Sequence, residues 1–110
     1  MTNELTSKRS RPIEKGTPAL GYDVIRKYLA MLSGWERKGN AIAKTFAFKN
    51  YHETMAFVNA TAWVSHREDH HPDMEVGYNK VTMRYSTHSV GGLSENDFIC
   101  AAKVEQLQTS

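Results

Sequence analysis

Four of the five histidines in this 110-residue chain are His66, His70, His71 and His88, and three of them flank a junction where acidic Glu68 and Asp69 give way to Pro72. Imidazole titrates near neutrality, with an ordinary pKa of about 6.5, so two of them can give and take protons within one cycle. That is equipment for general acid/base catalysis. A purely structural account would place His70 and His71 at a helix end, where a cationic ring suits the negative end of the dipole, and leave His88 exposed at a strand terminus. A metal account notes that His66 and His70 are four apart, a spacing that aligns two imidazoles on a helix, with His88 or Asp97 as a third ligand. The H-E-x-x-H pattern is absent, because Arg67 and Glu68 follow His66. The remaining account is metal-free proton transfer by His70 and His88, with His71 holding a substrate.

These side chains need elements to position them. From Asp23, apolar Ile25, Tyr28, Leu29 and Leu32 recur on one face of a helix that should end near Ser33-Gly34. Trp35 to Lys38, the turn pair Gly39-Asn40, and Ala41 to Phe48 form a hairpin pattern, with Ile42, Phe46 and Phe48 sharing a face that Lys44 interrupts. Asn50 is a good N-cap with Glu53 three positions on, which predicts a helix from Tyr51 to about Arg67. Met55, Ala56, Phe57, Val58, Ala60, Ala62, Trp63 and Val64 surround nearly the whole circumference of that helix. One sheet face cannot cover all of it, so a subunit interface is expected for the remainder.

Beyond Pro72 a strand is expected over Glu75 to Tyr78 and another over Lys80 to Thr87, where Val81, Met83 and Tyr85 alternate with Thr82, Arg84 and Ser86. Gly91-Gly92 breaks the chain, and Ser94 with Asp97 opens a last helix as a capping-box pair. The order helix, two strands, helix, two strands, helix predicts an α+β domain in which a four-stranded antiparallel sheet carries three helices on one face.

A single domain over 19–110 accounts for the length, preceded by a flexible polar tail over 1–18 with only Leu5 and Ile13 as isolated larger apolar residues. The cluster Lys8, Arg9 and Arg11 has the composition of a nuclear address or a phosphate contact, but reads here as a solvated tail. A formal charge of +2 is too slight to announce a direct nucleic-acid or anionic-membrane partner. The one cysteine, Cys100, cannot close an internal disulfide, and its apolar helical setting reads as a packed thiol in a reducing compartment. No stretch approaches the roughly 20 apolar residues of a membrane span, and a cytoplasmic protein is expected, with a nuclear pool compatible.

The string His70-His71-Pro72, Tyr78, His88 and Asp97 resembles, in its residues and all its spacings, the signature of the pterin-4a-carbinolamine dehydratases. Flanking segments are similar too: Gly34-Trp35, Phe46-Ala47-Phe48-Lys49, Tyr78-Asn79-Lys80-Val81, Ser86-Thr87-His88 and Gly92-Leu93-Ser94-Glu95-Asn96-Asp97. The resemblance spans about Asp23 to Leu107 and departs at two places. His66 stands where the family often has an acidic residue, and Met74 where it frequently has tryptophan.

The resemblance implies a dimer or tetramer of identical chains and a small-molecule substrate, 4a-hydroxytetrahydropterin, supplied by an aromatic amino acid hydroxylase. The product is quinonoid dihydropterin plus water, and neither metal nor cofactor is implied, the pterin being substrate. His70 and His88 would move the protons, His71 would chiefly bind the pterin, and Asp97 would orient or tune a histidine. Asp69, Pro72, Ser86, Thr87 and Ser89, with the three histidines, match the substrate-contacting region. A non-catalytic dimerisation cofactor or assembly module of the same fold is the alternative from another functional class.

Overall fold

The computed structural model describes residues 4–108. In chain order its elements are a 3-10 turn (Glu4–Ser7), α1 (Tyr22–Leu29), β1 (Glu36–Lys38), β2 (Ala41–Ala47), α2 (Tyr51–Glu68), β3 (Asp73–Val76), β4 (Lys80–Tyr85), a second 3-10 turn (His88–Val90) and α3 (Glu95–Gln106). All four strands join one antiparallel sheet in the order β1-β2-β4-β3.

The register follows from the alternation of apolar residues. Ile42 stands opposite Tyr85 and Phe46 opposite Val81, so the buried faces of β2 and β4 coincide. Lys44 lies opposite Met83 on that same face. It is accommodated because its amine reaches the edge, donating to the Ser33 carbonyl at 2.6 Å and passing 4.8 Å from the Phe46 ring centre. Phe57 and Val64 of α2, and Phe98, Ile99, Ala101 and Val104 of α3, complete the core with Ile25 of α1.

Helix α2 begins as its cap predicts: the Glu53 N–H donates to the Asn50 side chain at 2.9 Å, and the Glu53 carboxylate accepts from the Lys49 N–H. Its inward residues are Thr54, Phe57, Thr61, Val64, Ser65 and Glu68. The Thr61 and Ser65 hydroxyls donate to carbonyls of their own helix, at Val58 and Thr61, while the Thr54 hydroxyl lies within reach of the Asn50 carbonyl at the cap and the Tyr78 carbonyl before β4. Polar residues therefore share the inner face, while Ala56, Ala62 and a 61 % exposed Trp63 point outward.

Several boundaries differ from expectation for local reasons. Helix α1 stops at Leu29 and tightens into i→i+3 bonds through Leu32. Strand β3 begins at Asp73, directly after Pro72, and ends before a turn in which the Gly77 N–H donates to the Lys80 carbonyl. Strand β4 ends at Tyr85, because Thr87 pairs with Gly92 and the chain coils through His88–Val90 to a left-handed Gly91.

The largest correction concerns the expected flexible tail, whose first three residues lie outside the described ones. Leu5 is fully buried in the core. Lys8 pairs with Glu95 at 2.6 Å, the Arg9 guanidinium with Glu68 at 3.1 Å, and the Arg11 backbone exchanges two hydrogen bonds with the Asn96 side chain. One apolar anchor and fixed polar partners hold the segment against α2 and α3, although it has no periodicity of its own.

Candidate active site

The end of α2 sets the first histidine. Glu68 is the last helical residue, and Asp69 then adopts a left-handed conformation, φ 51° and ψ 44°, which an aspartate tolerates better than most residues. The N–H groups of Asp69 and His70 both reach back to the Ser65 carbonyl. This reversal carries His70 off the helix axis and lays its ring parallel to that of Tyr85, with centroids 5.8 Å apart and planes at 11°. His66, one turn earlier, stays exposed beside Trp63. The four-residue spacing thus does not align His66 with His70, because the helix ends between them. Among the described residues, no three His, Cys, Asp or Glu are grouped to hold a metal.

The start of α3 supplies the partner. Asp97 is fully buried, and its Oδ1 lies 2.5 Å from His70 Nε2. Its Oδ2 accepts from the Thr87 hydroxyl at 2.8 Å and from the Ser94 N–H at 2.9 Å, the latter being half of the expected capping box. The Thr87 hydroxyl has one proton and spends it on Asp97, so the Ser94 hydroxyl, 2.6 Å away, donates to Thr87. An ionised carboxylate can only accept, so opposite Asp97 in that form Nε2 is the protonated nitrogen of His70, which leaves a lone pair on Nδ1 whenever the ring is neutral.

The two segments that carry histidines therefore meet at opposite oxygens of one carboxylate: His70 at Oδ1, and Thr87, the neighbour of His88, at Oδ2. His71, His88, Asp69, Ser86 and Ser89 are exposed and Pro72 is half-buried; they stand outside the hydrogen-bonded set of Asp97. Sequence reasoning saw Ser94 only as a cap and Tyr85 only as core. The alternation that buries Tyr85 beside the histidine segment was the signal for its stacking role. Burial pushes the Tyr85 hydroxyl far above its ordinary range and the Cys100 thiol up to about 12, so both stay neutral and neither is a ready proton carrier or nucleophile.

Asp69 combines a backbone role with an exposed carboxylate, and two substitutions separate them. Asp69→Ala should be about 1 kcal/mol less stable than Asp69→Gly in urea unfolding, because alanine bears the left-handed penalty that glycine escapes. If the carboxylate touches the substrate, both variants raise KM alike; a rise with alanine alone would assign the effect to the backbone.

A family model described as Pterin 4 alpha carbinolamine dehydratase matches residues 18–107. A relative from Nitrosomonas europaea, named for pterin-4-alpha-carbinolamine dehydratase, is 58% identical over 110 residues, covering 97% of each chain. Another from Nitrosospira multiformis, of the same designation, is 55% identical over 96% of this chain and 93% of its own. Among solved structures, a protein titled transcriptional coactivator/pterin dehydratase from Brucella melitensis superposes with a TM-score of 0.78 at 30% identity, covering 81% of this chain and 97% of that one. A pterin dehydratase-like protein identified as a RuBisCO assembly factor in the alpha-carboxysome gives 0.57 at 30% identity, over 69% of this chain and 88% of its own. Sequence match and fold similarity agree, and the chain belongs to the pterin-4-alpha-carbinolamine dehydratase family.

Proposed function

We propose that the protein dehydrates 4a-hydroxytetrahydropterin, the tetrahydrobiopterin form included, to quinonoid dihydropterin by histidine general acid/base catalysis without a metal. The observation that carries this reading is the shared Asp97 carboxylate, with His70 on one oxygen and the end of the His88 segment on the other. In the reaction the C4a–O bond breaks as a proton reaches the leaving oxygen. The adjacent ring nitrogen loses its proton, its electron pair forms the C=N bond, and water departs.

One proton is delivered and one removed, so a donor and an acceptor suffice. The lone pair on Nδ1 of neutral His70 suits it to accept, with Asp97 steadying the imidazolium that results. His88, exposed on the other segment, donates to the leaving hydroxyl from its protonated form. His71 binds and orients the pterin, and Asp69, Pro72, Ser86, Thr87 and Ser89 border it. Proton transfer of this kind is worth about a hundredfold to ten-thousandfold, which suits a reaction that already proceeds unaided.

An aromatic amino acid hydroxylase, which forms the carbinolamine when it oxidises its pterin, is the pathway partner, and a cytoplasmic setting suits the single unpaired thiol. Among the described residues no helix is long and apolar enough to cross a membrane. The test is stopped-flow ultraviolet absorbance of freshly generated carbinolamine, with and without protein and with chelator present. Accelerated decay that survives the chelator is the expected result; decay at the uncatalysed rate would sink the reading.

The outward apolar surface of α2 supports a second element, self-association into a dimer or tetramer. Replacing the 61 % exposed Trp63 by Glu should shift the protein to smaller species in sedimentation velocity while the monomer stays folded. An unchanged mass would place the interface elsewhere. A role as an assembly module would use the same surface without needing the histidines, and is distinguished by full retention of partner binding in a His70→Ala, His88→Ala double variant.

A further inference from the structure

The segment Glu4–Arg11 precedes the residues that the family model matches, yet it grips both halves of the candidate site. On the α2 side, Arg9 Nη2 donates to the Arg67 carbonyl at 3.0 Å and Arg9 Nε to Glu68 at 3.1 Å, while the Ser10 N–H donates to Glu68 at 2.7 Å. Lys103 of α3 completes the cluster at 3.0 Å from the same carboxylate. On the α3 side, the Arg11 N–H donates to Asn96 Oδ1 at 3.1 Å, and Asn96 Nδ2 returns a bond to the Arg11 carbonyl at 2.7 Å. Lys8 and the Tyr28 hydroxyl both donate to Glu95, and Leu5 seals the segment into the core.

Glu68 lies two residues before His70, and Asn96 immediately precedes Asp97. We propose that this N-terminal strap is a positioning device for the His70–Asp97 pair, bridging the end of α2 to the start of α3 so that imidazole and carboxylate stay in register. Its catalytic consequence rests on the dehydratase reading above; its geometric consequence does not. A 2.5 Å contact between two separate helix ends tolerates little relative motion, and misplacement by about 1 Å can cost about a hundredfold in rate. Burial alone would push the Glu68 carboxyl up, but the Ser10 N–H, Lys103 and Arg9 outweigh it and hold the group below its usual range. That carboxylate is therefore charged and gripped at neutral pH, and its hold weakens only as the pH falls below the ordinary glutamate range.

The test uses full-length protein carrying Asn96→Ala together with Arg9→Gln, with Asn96→Ala alone as a milder variant and Arg9→Lys as the charge-keeping control. None of these changes a group that touches His70 or Asp97. Circular dichroism verifies folding, nuclear magnetic resonance follows the His70 ring through a pH titration, and stopped flow gives kcat and KM. We expect the double variant to lose about tenfold in kcat with KM within about twofold, and its His70 titration midpoint to move, while Arg9→Lys stays near wild type. A folded double variant with unchanged kcat and unchanged His70 titration overturns the proposal, even if its melting temperature falls. Should the wild-type chain show no dehydratase activity, the function fails separately: a moved His70 midpoint then still supports the strap, and an unmoved one removes it.

Discussion

Replacing His70 by alanine is expected to slow carbinolamine dehydration by about a hundredfold to ten-thousandfold, and replacing His88 by alanine to do the same, with different consequences for stability. The His70 side chain is 13% exposed and covers Asp97 Oδ1, so its loss leaves a buried carboxylate oxygen without its donor. That should cost about 1–3 kcal/mol on top of the lost stacking with Tyr85. His88 is exposed on a short turn, and His88→Ala should unfold within about 0.5 kcal/mol of wild type. A His70→Gln variant refines the contrast, because an amide N–H can still donate to Asp97 but cannot take a proton from the pterin. Stability near wild type with activity still lost would assign the rate to proton transfer. Wild-type kcat in both alanine variants would dispose of the mechanism.

Asp97→Ala is expected to damage fold and chemistry together. The carboxylate accepts from His70, from the Thr87 hydroxyl and from the Ser94 N–H that begins α3, all in a fully buried position. Alanine strands these donors and deletes half of the capping box, an expected loss of about 3 kcal/mol or more in denaturant midpoint analysis. Domains of this size are stable by about 5–15 kcal/mol, so the variant folds but with a much reduced margin. Asp97→Asn is the more informative substitution. Its amide keeps one acceptor oxygen for the Thr87 and Ser94 side, while its NH2 faces His70 and demands the opposite tautomer. Much of the stability should return and the activity should not. Full activity in Asp97→Asn would show that the carboxylate serves α3 alone.

The parts of this structure that were legible in the sequence are those written in local periodicity. The alternation of Val81, Met83 and Tyr85, the Asn50–Glu53 start of α2 and the Ser94–Asp97 start of α3 all appear where their patterns place them. The Asp97 cap was readable as a pattern; that Asp97 orients a histidine was an expectation from the family resemblance alone, and which histidine it holds was not readable, because only the fold brings residues 70 and 97 together. The strap was missed for a related reason. Its polar contacts come largely from backbone groups and long side chains whose partners lie far along the chain, and neither leaves a period. One sequence clue existed: Glu68 continues the inward phase of Thr54, Phe57, Thr61 and Val64, and a buried acid there requires cationic or N–H partners from somewhere. The left-handed Asp69 was likewise invisible, since no glycine marks it.

Cys100, wholly enclosed in α3 with its thiol held neutral, has a use beyond packing. Because only a thiolate exposed to solvent reacts quickly with an alkylating reagent, this lone sulfur labels no faster than the core opens. The native chain thus carries its own stopwatch for breathing motions, read by mass spectrometry as one adduct per molecule, with no dye or engineered probe attached.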